Sequence, residues 1–132
     1  MKLYNTLSRQ TEEFSAADGA VKMYVCGITP YSPSHVGHAF SSVVFDTLRR
    51  YLEHGGQAVR HVQNFTDIDD KMIKAATDEG ISVAQLAERN IQQYFKEMDA
   101  LNILRAHVYP RATGEIPKII EITESLIASG YA

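Results

Sequence analysis

The chain has 132 residues, 45% of them hydrophobic and 22% charged, which is the size and composition of one globular domain. It contains no run of about 18 apolar residues, as a membrane-spanning helix needs, and its single cysteine excludes an internal disulfide. The formal net charge of −3 excludes a strongly basic surface for nucleic acid. Because the N-terminal residues do not form a signal peptide, we expect a cytoplasmic protein with no membrane partner.

The first half of the chain predicts a strand–helix–strand unit. Residues 2–8 and 22–26 alternate weakly, as strands do, and a polar loop ending in the turn signal Asp18-Gly19 separates them. A helix is predicted from Gly37 to His54, closed by Gly55-Gly56, and Ala58–Phe65 predicts the next strand. We expect the two strands to pair in parallel through a right-handed crossover. The apolar residues expected to face the core from the helix are Phe40, Val43, Val44, Leu48, Tyr51 and Leu52.

Helices dominate the second half of the chain. Asp67–Asp70 is expected to cap a short helix that ends near Gly80, and Ser82 with Gln85 forms a capping-box pattern for the next helix. An irregular stretch from Asn102 precedes a last helix, which we expect Thr113 to cap and Gly130 to end. The predicted core residues of these two long helices are Val83, Ala87, Ile91, Tyr94, Met98 and Leu101, then Ile116, Ile119, Ile120, Thr123, Leu126 and Ile127. The fold class is therefore α/β, the first half of a doubly wound parallel sheet followed by helices.

The most informative segment runs from Cys26-Gly27, at the end of a predicted strand, to His35-Val-Gly-His38, at the start of the first long helix. Open parallel sheets bind ligands beyond the carboxyl ends of their strands. A helix N-terminus at that edge favours a phosphate through its N–H groups and its dipole. Two imidazoles add hydrogen-bond donors, and Gly37 between them leaves the backbone open to a flat ring. The segment predicts a nucleotide phosphate site, with a plain turn and two incidental histidines as the alternative.

The same segments resemble a known enzyme family. His35-Val-Gly-His38 is similar to the HIGH signature of class I aminoacyl-tRNA synthetases, and MYVCGITPYSPSHVGHAFSSVVFDTLRRYLEHGG resembles the start of cysteinyl-tRNA synthetases. VQNFTDIDDKMI, DALNILR and PRAT follow in the family's order, so the resemblance extends from Lys2 to Ala132. Many members carry Asn where this chain has His38, which restores the general class I form. The resemblance implies the N-terminal half of a Rossmann-like, HUP-type nucleotide-binding fold.

The resemblance also implies roles for individual residues. The parent enzyme would activate cysteine with ATP and Mg²⁺ to cysteinyl-adenylate and then transfer it to tRNA(Cys), with little tRNA contact from this segment. His35 and His38 would stabilise the transition state as the cysteine carboxylate attacks the α-phosphorus. Tyr31 lies on the same turn, where packing explains it equally well. The residues implied in ATP binding are Gly27, Thr29, His35, Gly37 and His38, and those implied in cysteine binding are Gly27 and Thr66.

Cys26 is implied by the resemblance as a ligand of Zn²⁺, which would bind the thiolate of the substrate cysteine. Zinc prefers soft sulfur, so the metal would select cysteine over serine. A tetrahedral site needs further ligands, and in the family these lie in a downstream region that has no match here. From this chain alone we expect at most an incomplete zinc site. Judged without the resemblance, a small buried thiol is the alternative.

The carboxylates that follow Thr66 fit a helix N-terminus as well as a binding site. Their Asp-x-Asp pattern also resembles the nucleophile loop of haloacid-dehalogenase-type phosphatases, but Asp70-Lys71 stands where Thr or Val is usual. An EF-hand is excluded because Met72 occupies the position of the turn glycine. The remaining histidines are expected to be surface or satisfied core residues: His54, His61 and His107.

The second class I signature, KMSKS, has no match in the chain, and neither do an anticodon-binding domain and the further zinc ligands. We therefore expect residues 1–132 to be a single truncated domain, the N-terminal part of a synthetase catalytic domain, with little or no activity alone. Two alternatives stay open. One is the related mycothiol-pathway cysteine ligase, which joins activated cysteine to an aminosugar. The other is a non-catalytic nucleotide-binding module.

Overall fold

The computed structural model describes residues 1–16 and 19–132. In chain order the elements are β1 (Lys2–Asn5), β2 (Gln10–Glu13), β3 (Ala20–Ile28), α1 (Val36–His54), β4 (Ala58–Phe65), α2 (Asp70–Glu79), α3 (Val83–Ala100) and α4 (Ile116–Ala128). A 3-10 turn at Ala112–Glu115 leads directly into α4. Among the described residues, no helix combines the length and the apolar character that crossing a membrane requires.

β3 and β4 form a parallel pair, which confirms the predicted strand–helix–strand unit. Val21 pairs with Val59 near the start of both strands, and the register shifts after Val25. β4 also makes parallel bridges to Val108 and Arg111. The chain after α3 therefore forms a short extended segment parallel to β4. The carboxyl ends of β3, β4 and this segment lie at one edge of the sheet.

The N-terminal hairpin differs from the prediction. β1 and β2 pair antiparallel, with Lys2 opposite Glu13, whereas residues 2–8 were expected to form one strand followed by a polar loop. β2 has the sequence QTEE, and all four of its polar side chains are exposed. It therefore lacks the apolar alternation by which a strand is recognised in a sequence. Of the predicted turn at Asp18-Gly19, Asp18 lies outside the described residues, and Gly19 has a φ of 70°.

Two apolar clusters form the core. One lies between β3 and α1, and the other joins the end of β4 to α2 and α3. Side chains alternate between the faces of a strand, so every second residue of β3 enters the first cluster. The buried members of the first cluster are Val21, Met23, Val25 and Leu52. Those of the second are Phe65, Met72, Ala76, Leu86, Ala87, Ile91, Tyr94 and Met98.

The buried face of α1 differs from the predicted one. Leu52 is buried and Leu48 packs beside it, as expected, together with Phe45, which was not expected. The other predicted core residues are exposed: Phe40, Val43, Val44 and Tyr51. α1 carries apolar residues on two sides, and hydrophobic periodicity alone does not show which side meets the sheet.

The helices that follow confirm the predicted caps in part. Asp69 caps α2 by accepting a hydrogen bond from Met72 N at 2.9 Å. Asp67, the first carboxylate of the predicted cap, does not cap the helix. Ser82 and Gln85 form the predicted capping box of α3. The face of α3 predicted as core is buried from Ala87 to Met98, but Leu101 is exposed.

The last helix contradicts two expectations. Thr113 does not cap it, because the 3-10 turn intervenes and α4 has no side-chain cap. No residue of α4 is buried, so the residues expected to face the core are exposed instead. The helix ends as expected, with Gly130 at a φ of 75° just beyond it. The apolar stripe was correctly recognised, but its residues stay exposed, and of them Ile119 lines an open cavity with Tyr24 and Asn64.

Candidate active site

β3 and β4 approach each other closely at Gly27, near their carboxyl ends. A Cβ atom added to Gly27 would lie 1.5 Å from the carbonyl oxygen of Asn64. Gly27 N donates a hydrogen bond of 2.9 Å to Asn64 Oδ1. Only glycine leaves room for this contact, which fixes the backbone where the chain turns towards the first long helix.

His35 and His38 lie at the N-terminus of α1 and cap it together. His35 is the N-cap residue, and its Nδ1 accepts a hydrogen bond from Gly37 N at 3.1 Å. His38 Nδ1 accepts one from His35 N at 3.2 Å. The two rings stack with centroids 3.9 Å apart and an angle of 19° between their planes. This is the reciprocal geometry of a capping box, built from two imidazoles.

The caps determine which ring nitrogens remain available. An Nδ1 that accepts a backbone N–H carries no proton, so the neutral ring carries its proton on Nε2. Burial holds the pKa of His38 below its usual value, and nearby His35 lowers it further although Glu97 opposes this. The low pKa favours the neutral form of His38 at physiological pH. Each histidine can then donate an Nε2–H group to a ligand.

Gly37 is required by the His35 ring. A Cβ atom added to Gly37 would lie 2.9 Å from His35 Cε1 and 3.0 Å from its Nδ1, too close without a shift of the ring. The sequence predicted that Gly37 lets a ligand approach the backbone, and the structure adds that the glycine leaves room for the capping imidazole. The first-turn N–H groups of His35 and Gly37 are already bonded to the rings, so the imidazoles are the donors that the site presents.

Gly27 and Thr66, both implied in cysteine binding, lie close together. Thr66 N donates to the carbonyl of Ile28 at 3.0 Å. Asn64 connects the two residues, because its Oδ1 accepts from Gly27 N and its Nδ2 donates to Thr66 Oγ1 at 3.3 Å. Sequence reasoning did not single out Asn64. The sequence feature that could have identified Asn64 is a polar amide near the carboxyl end of a strand, since Gly27 lies near the carboxyl end of the neighbouring strand.

Thr29 and Tyr31 form the turn that leaves β3. Tyr31 N donates to the carbonyl of Thr29 at 2.9 Å. The ammonium group of Lys71, from α2, lies 5.5 Å from the centre of the Tyr31 ring, within the range of a cation–π contact. Turn formation and packing therefore account for both residues, and ATP binding by Thr29 stays a prediction.

Cys26 does not form a zinc site with the residues present. Its thiol is exposed, so the alternative of a buried thiol is wrong. Within residues 1–16 and 19–132, no three His, Cys, Asp or Glu side chains are grouped so that they could hold a metal ion. Tetrahedral zinc needs four ligands, of which at least three come from the protein, and Cys26 would supply one.

The carboxylates after Thr66 have partners within the protein. Asp67 is buried and accepts two hydrogen bonds from Thr113, from its N at 3.0 Å and its Oγ1 at 2.6 Å. Asp69 caps α2. These bonds agree with a structural role for both carboxylates, and they assign neither of them to a ligand.

Comparison with known proteins identifies the family to which the chain belongs. The family described as tRNA synthetases class I (C) catalytic domain matches residues 13–132. A cysteine–tRNA ligase of Dehalococcoides mccartyi is 58% identical over 133 aligned residues, which cover 100% of this chain and 29% of the relative. One from Nitratidesulfovibrio vulgaris is 53% identical, with 100% and 27% covered.

A solved structure supports the same assignment. Mycobacterium tuberculosis methionyl-tRNA synthetase in complex with methionyl-adenylate superposes with a TM-score of 0.63 and 28% identity, over 70% of this chain and 18% of that one. The chain spans less than a third of the length of these two cysteine–tRNA ligases. Over the part that it spans, the chain belongs to the family of class I (C) tRNA synthetase catalytic domains.

Proposed function

We propose that this chain is the N-terminal part of the catalytic domain of a cysteine–tRNA ligase and that the start of α1 binds ATP. The observation that carries the proposal is the stacked pair of histidines, whose Nδ1 atoms are occupied by backbone N–H groups. This arrangement leaves two Nε2–H donors at the N-terminus of a helix. N–H donors and a helix dipole there suit a polyphosphate.

In the proposed reaction, the carboxylate of cysteine attacks the α-phosphorus of ATP, which is bound with Mg²⁺. Pyrophosphate leaves, and the product is cysteinyl-adenylate, from which the longer protein transfers cysteine to tRNA(Cys). Negative charge builds on the phosphoryl oxygens during the attack, and His35 and His38 stabilise it as donors without acting as acid or base. Loss of one such donor costs roughly 3–4 kcal/mol of transition-state stabilisation.

Gly27 and Thr66 form the floor of the cysteine pocket in this proposal, with Asn64 holding them together. Cys26 would be one ligand of Zn²⁺ in the longer protein. No step of the proposed reaction runs through the metal, because the chain's own residues do not complete a site. Selection of cysteine by zinc therefore belongs to the longer protein.

Exposed apolar side chains favour a part of a larger enzyme over a free-standing module. Phe40 on α1 is 71% exposed, and α4 presents its whole apolar stripe to solvent. Isolated apolar residues are common on surfaces, but contiguous patches mark contact surfaces. The names of the relatives favour tRNA over an aminosugar as acceptor.

The proposal is tested by titrating the purified protein with Mg²⁺-ATP and by measuring cysteine-dependent ATP–pyrophosphate exchange. We expect ATP to bind, and the double variant His35→Ala, His38→Ala to bind at least tenfold more weakly, because a hydrogen bond to a charged group contributes about 1.5–3 kcal/mol. His54→Ala, at the exposed far end of α1, is the matched control and should bind like the unchanged protein.

Exchange that disappears in the double variant would show that this segment activates cysteine. ATP binding without exchange would show that the nucleotide site is present and that chemistry needs the longer protein, where the acceptors tRNA(Cys) and glucosaminyl-inositol are then compared. Equal ATP affinity in the double variant and the unchanged protein would refute the proposal.

A further inference from the structure

Asn90 is a polar residue on the buried face of α3. It is 4% exposed, and its neighbours on that face include Leu86, Ala87 and Ile91. Burying an amide in such surroundings is unfavourable unless its polar atoms are bonded. Asn90 Nδ2 donates a hydrogen bond of 2.8 Å to the carbonyl of Pro30, 60 residues away in the chain.

Pro30 lies in the connection of residues 29–35, between β3 and α1. Its side chain is fully buried, and its carbonyl, two residues beyond the end of β3, accepts the Asn90 amide. Buried carbonyl groups need a donor, and here the donor comes from a different helix. The connection is thus attached to α3 five residues before His35, the cap of α1.

The orientation of the Asn90 amide is fixed by the carbonyl of Pro30. A carbonyl only accepts, so the amide nitrogen must face Pro30, and Asn90 Oδ1 then faces Arg89 Nε at 3.5 Å. Arg89 in turn forms a bidentate ion pair with Glu79 of α2, with distances of 2.6 and 2.9 Å. A chain of bonds therefore runs from α2 through Arg89 and Asn90 to the connection.

We propose that Asn90 is a positioning residue that fixes the connection of residues 29–35 and, through it, the placement of His35 and His38. The proposal rests on the proposed function of these histidines in binding ATP. Asn90 touches neither nucleotide nor amino acid, and it acts through the backbone of Pro30. Without its donor, the connection would open locally, and the two Nε2–H groups would lose their fixed separation.

The test uses Asn90→Leu, which keeps the volume and removes the donor. The matched control is Gln92→Leu, on the exposed side of the same helix. Hydrogen exchange of individual amides and the affinity for Mg²⁺-ATP are measured for both. We expect Asn90→Leu to accelerate exchange about tenfold for residues 31–38 and to weaken ATP binding about tenfold. Exchange in the rest of α3 should not change.

Arg89→Met serves as a second variant in case Asn90→Leu does not fold. Arg89 is half-exposed, with 54% of its side chain accessible, so the change leaves the core intact. It removes the contact of Arg89 Nε with Asn90 Oδ1 together with the ion pair to Glu79. We expect a smaller acceleration, about threefold, at the same amides.

Unchanged exchange at residues 31–38 in a folded Asn90→Leu protein, or in Arg89→Met if that is the variant measured, would overturn the proposal. Accelerated exchange spread evenly over α3 would also overturn it, because it would indicate a packing role. The proposed function fails separately, if the unchanged protein binds no ATP. Faster exchange confined to residues 31–38 would still support the positioning role in that case.

Discussion

At the scale of single residues, close backbone approach is what the site depends on most. Gly27 is the clearest case, because the Asn64 carbonyl occupies the space that a side chain would need. The resemblance to the synthetase family implied that Gly27 belongs to the site. It did not reveal the contact, because Asn64 is 37 residues away and comes into range only when the strands pair.

Gly27→Ala should destabilise the fold by about 3 kcal/mol or more, since a methyl group cannot fit 1.5 Å from a backbone oxygen without moving a strand. Chemical denaturation would measure the loss. Gly114→Ala is the control, because no atom lies within 4 Å of the Cβ position there, and its effect should stay within about 1 kcal/mol. Similar stability of both variants would contradict the close approach.

The pair of histidines was recognised from spacing, whereas their mutual capping was not. Two imidazoles at i and i+3 on a helix are neighbours, which is as much as the sequence shows. That both Nδ1 atoms accept backbone N–H groups follows from the extended backbone of His35, with a φ of −128° and a ψ of 174°. This conformation depends on the connection that precedes it.

At the scale of elements, the helices and the parallel strands lie where the sequence predicted them, although β3 is longer than predicted and α4 begins only after the 3-10 turn. The contacts of α1 and α4 differ from the prediction. α1 and α4 both carry apolar stripes, which periodicity detects. Which side of α1 meets β3 depends on the position of the strand, and α4 has no buried residue at all. A stripe indicates that a helix can be buried but does not identify its partner.

The bond between Asp67 and Thr113 ties the 3-10 turn before α4 to the end of β4. Thr113→Val keeps the shape and removes the hydroxyl, leaving the buried carboxylate without one donor. We expect a loss of about 1 kcal/mol in the free energy of unfolding, the ordinary contribution of one hydrogen bond. Thr113→Ser keeps the hydroxyl and should lose much less. A loss in Thr113→Val no larger than that in Thr113→Ser would contradict a stabilising role of the hydroxyl bond to Asp67.

At the scale of the whole molecule, His61 shows what packing of several elements does to one side chain. It is 5% exposed, and neither ring nitrogen has a hydrogen-bond partner among the described residues. Burial holds the pKa of His61 below its ordinary value of 6.5, and Arg49 and His107 lower it further, while Asp46 opposes them. The expectation of a surface or satisfied core residue is wrong for His61, which is buried without a bonded ring.

His61 should make stability depend on pH. Below about pH 6.5 His61 binds a proton in the unfolded chain, whereas its lowered pKa keeps it neutral in the folded protein until a lower pH. The free energy of unfolding should therefore fall with decreasing pH, by at most ~1.4 kcal/mol per pH unit for this group. His38 contributes with the same sign. Denaturation between pH 7.5 and about pH 5 should therefore show a shallower slope for His61→Phe than for the unchanged protein.

The control for this experiment is His54→Gln at the exposed end of α1, which should keep the slope of the unchanged protein. If His61→Phe also kept the full slope of the free energy of unfolding against pH, the pH dependence would not arise from the burial of neutral His61.

The sequence by itself determined the class of fold, the parallel pair, the capping of α3 and the histidines at the start of α1. These follow from local patterns of spacing and capping, which act within a few residues. Only the tertiary structure decided that Asn64 joins Gly27 to Thr66, that Asn90 holds Pro30, that Asp67 binds Thr113 and that His61 is buried. Each of these features brings together parts of the chain that are far apart in the sequence, so each depends on how the elements pack.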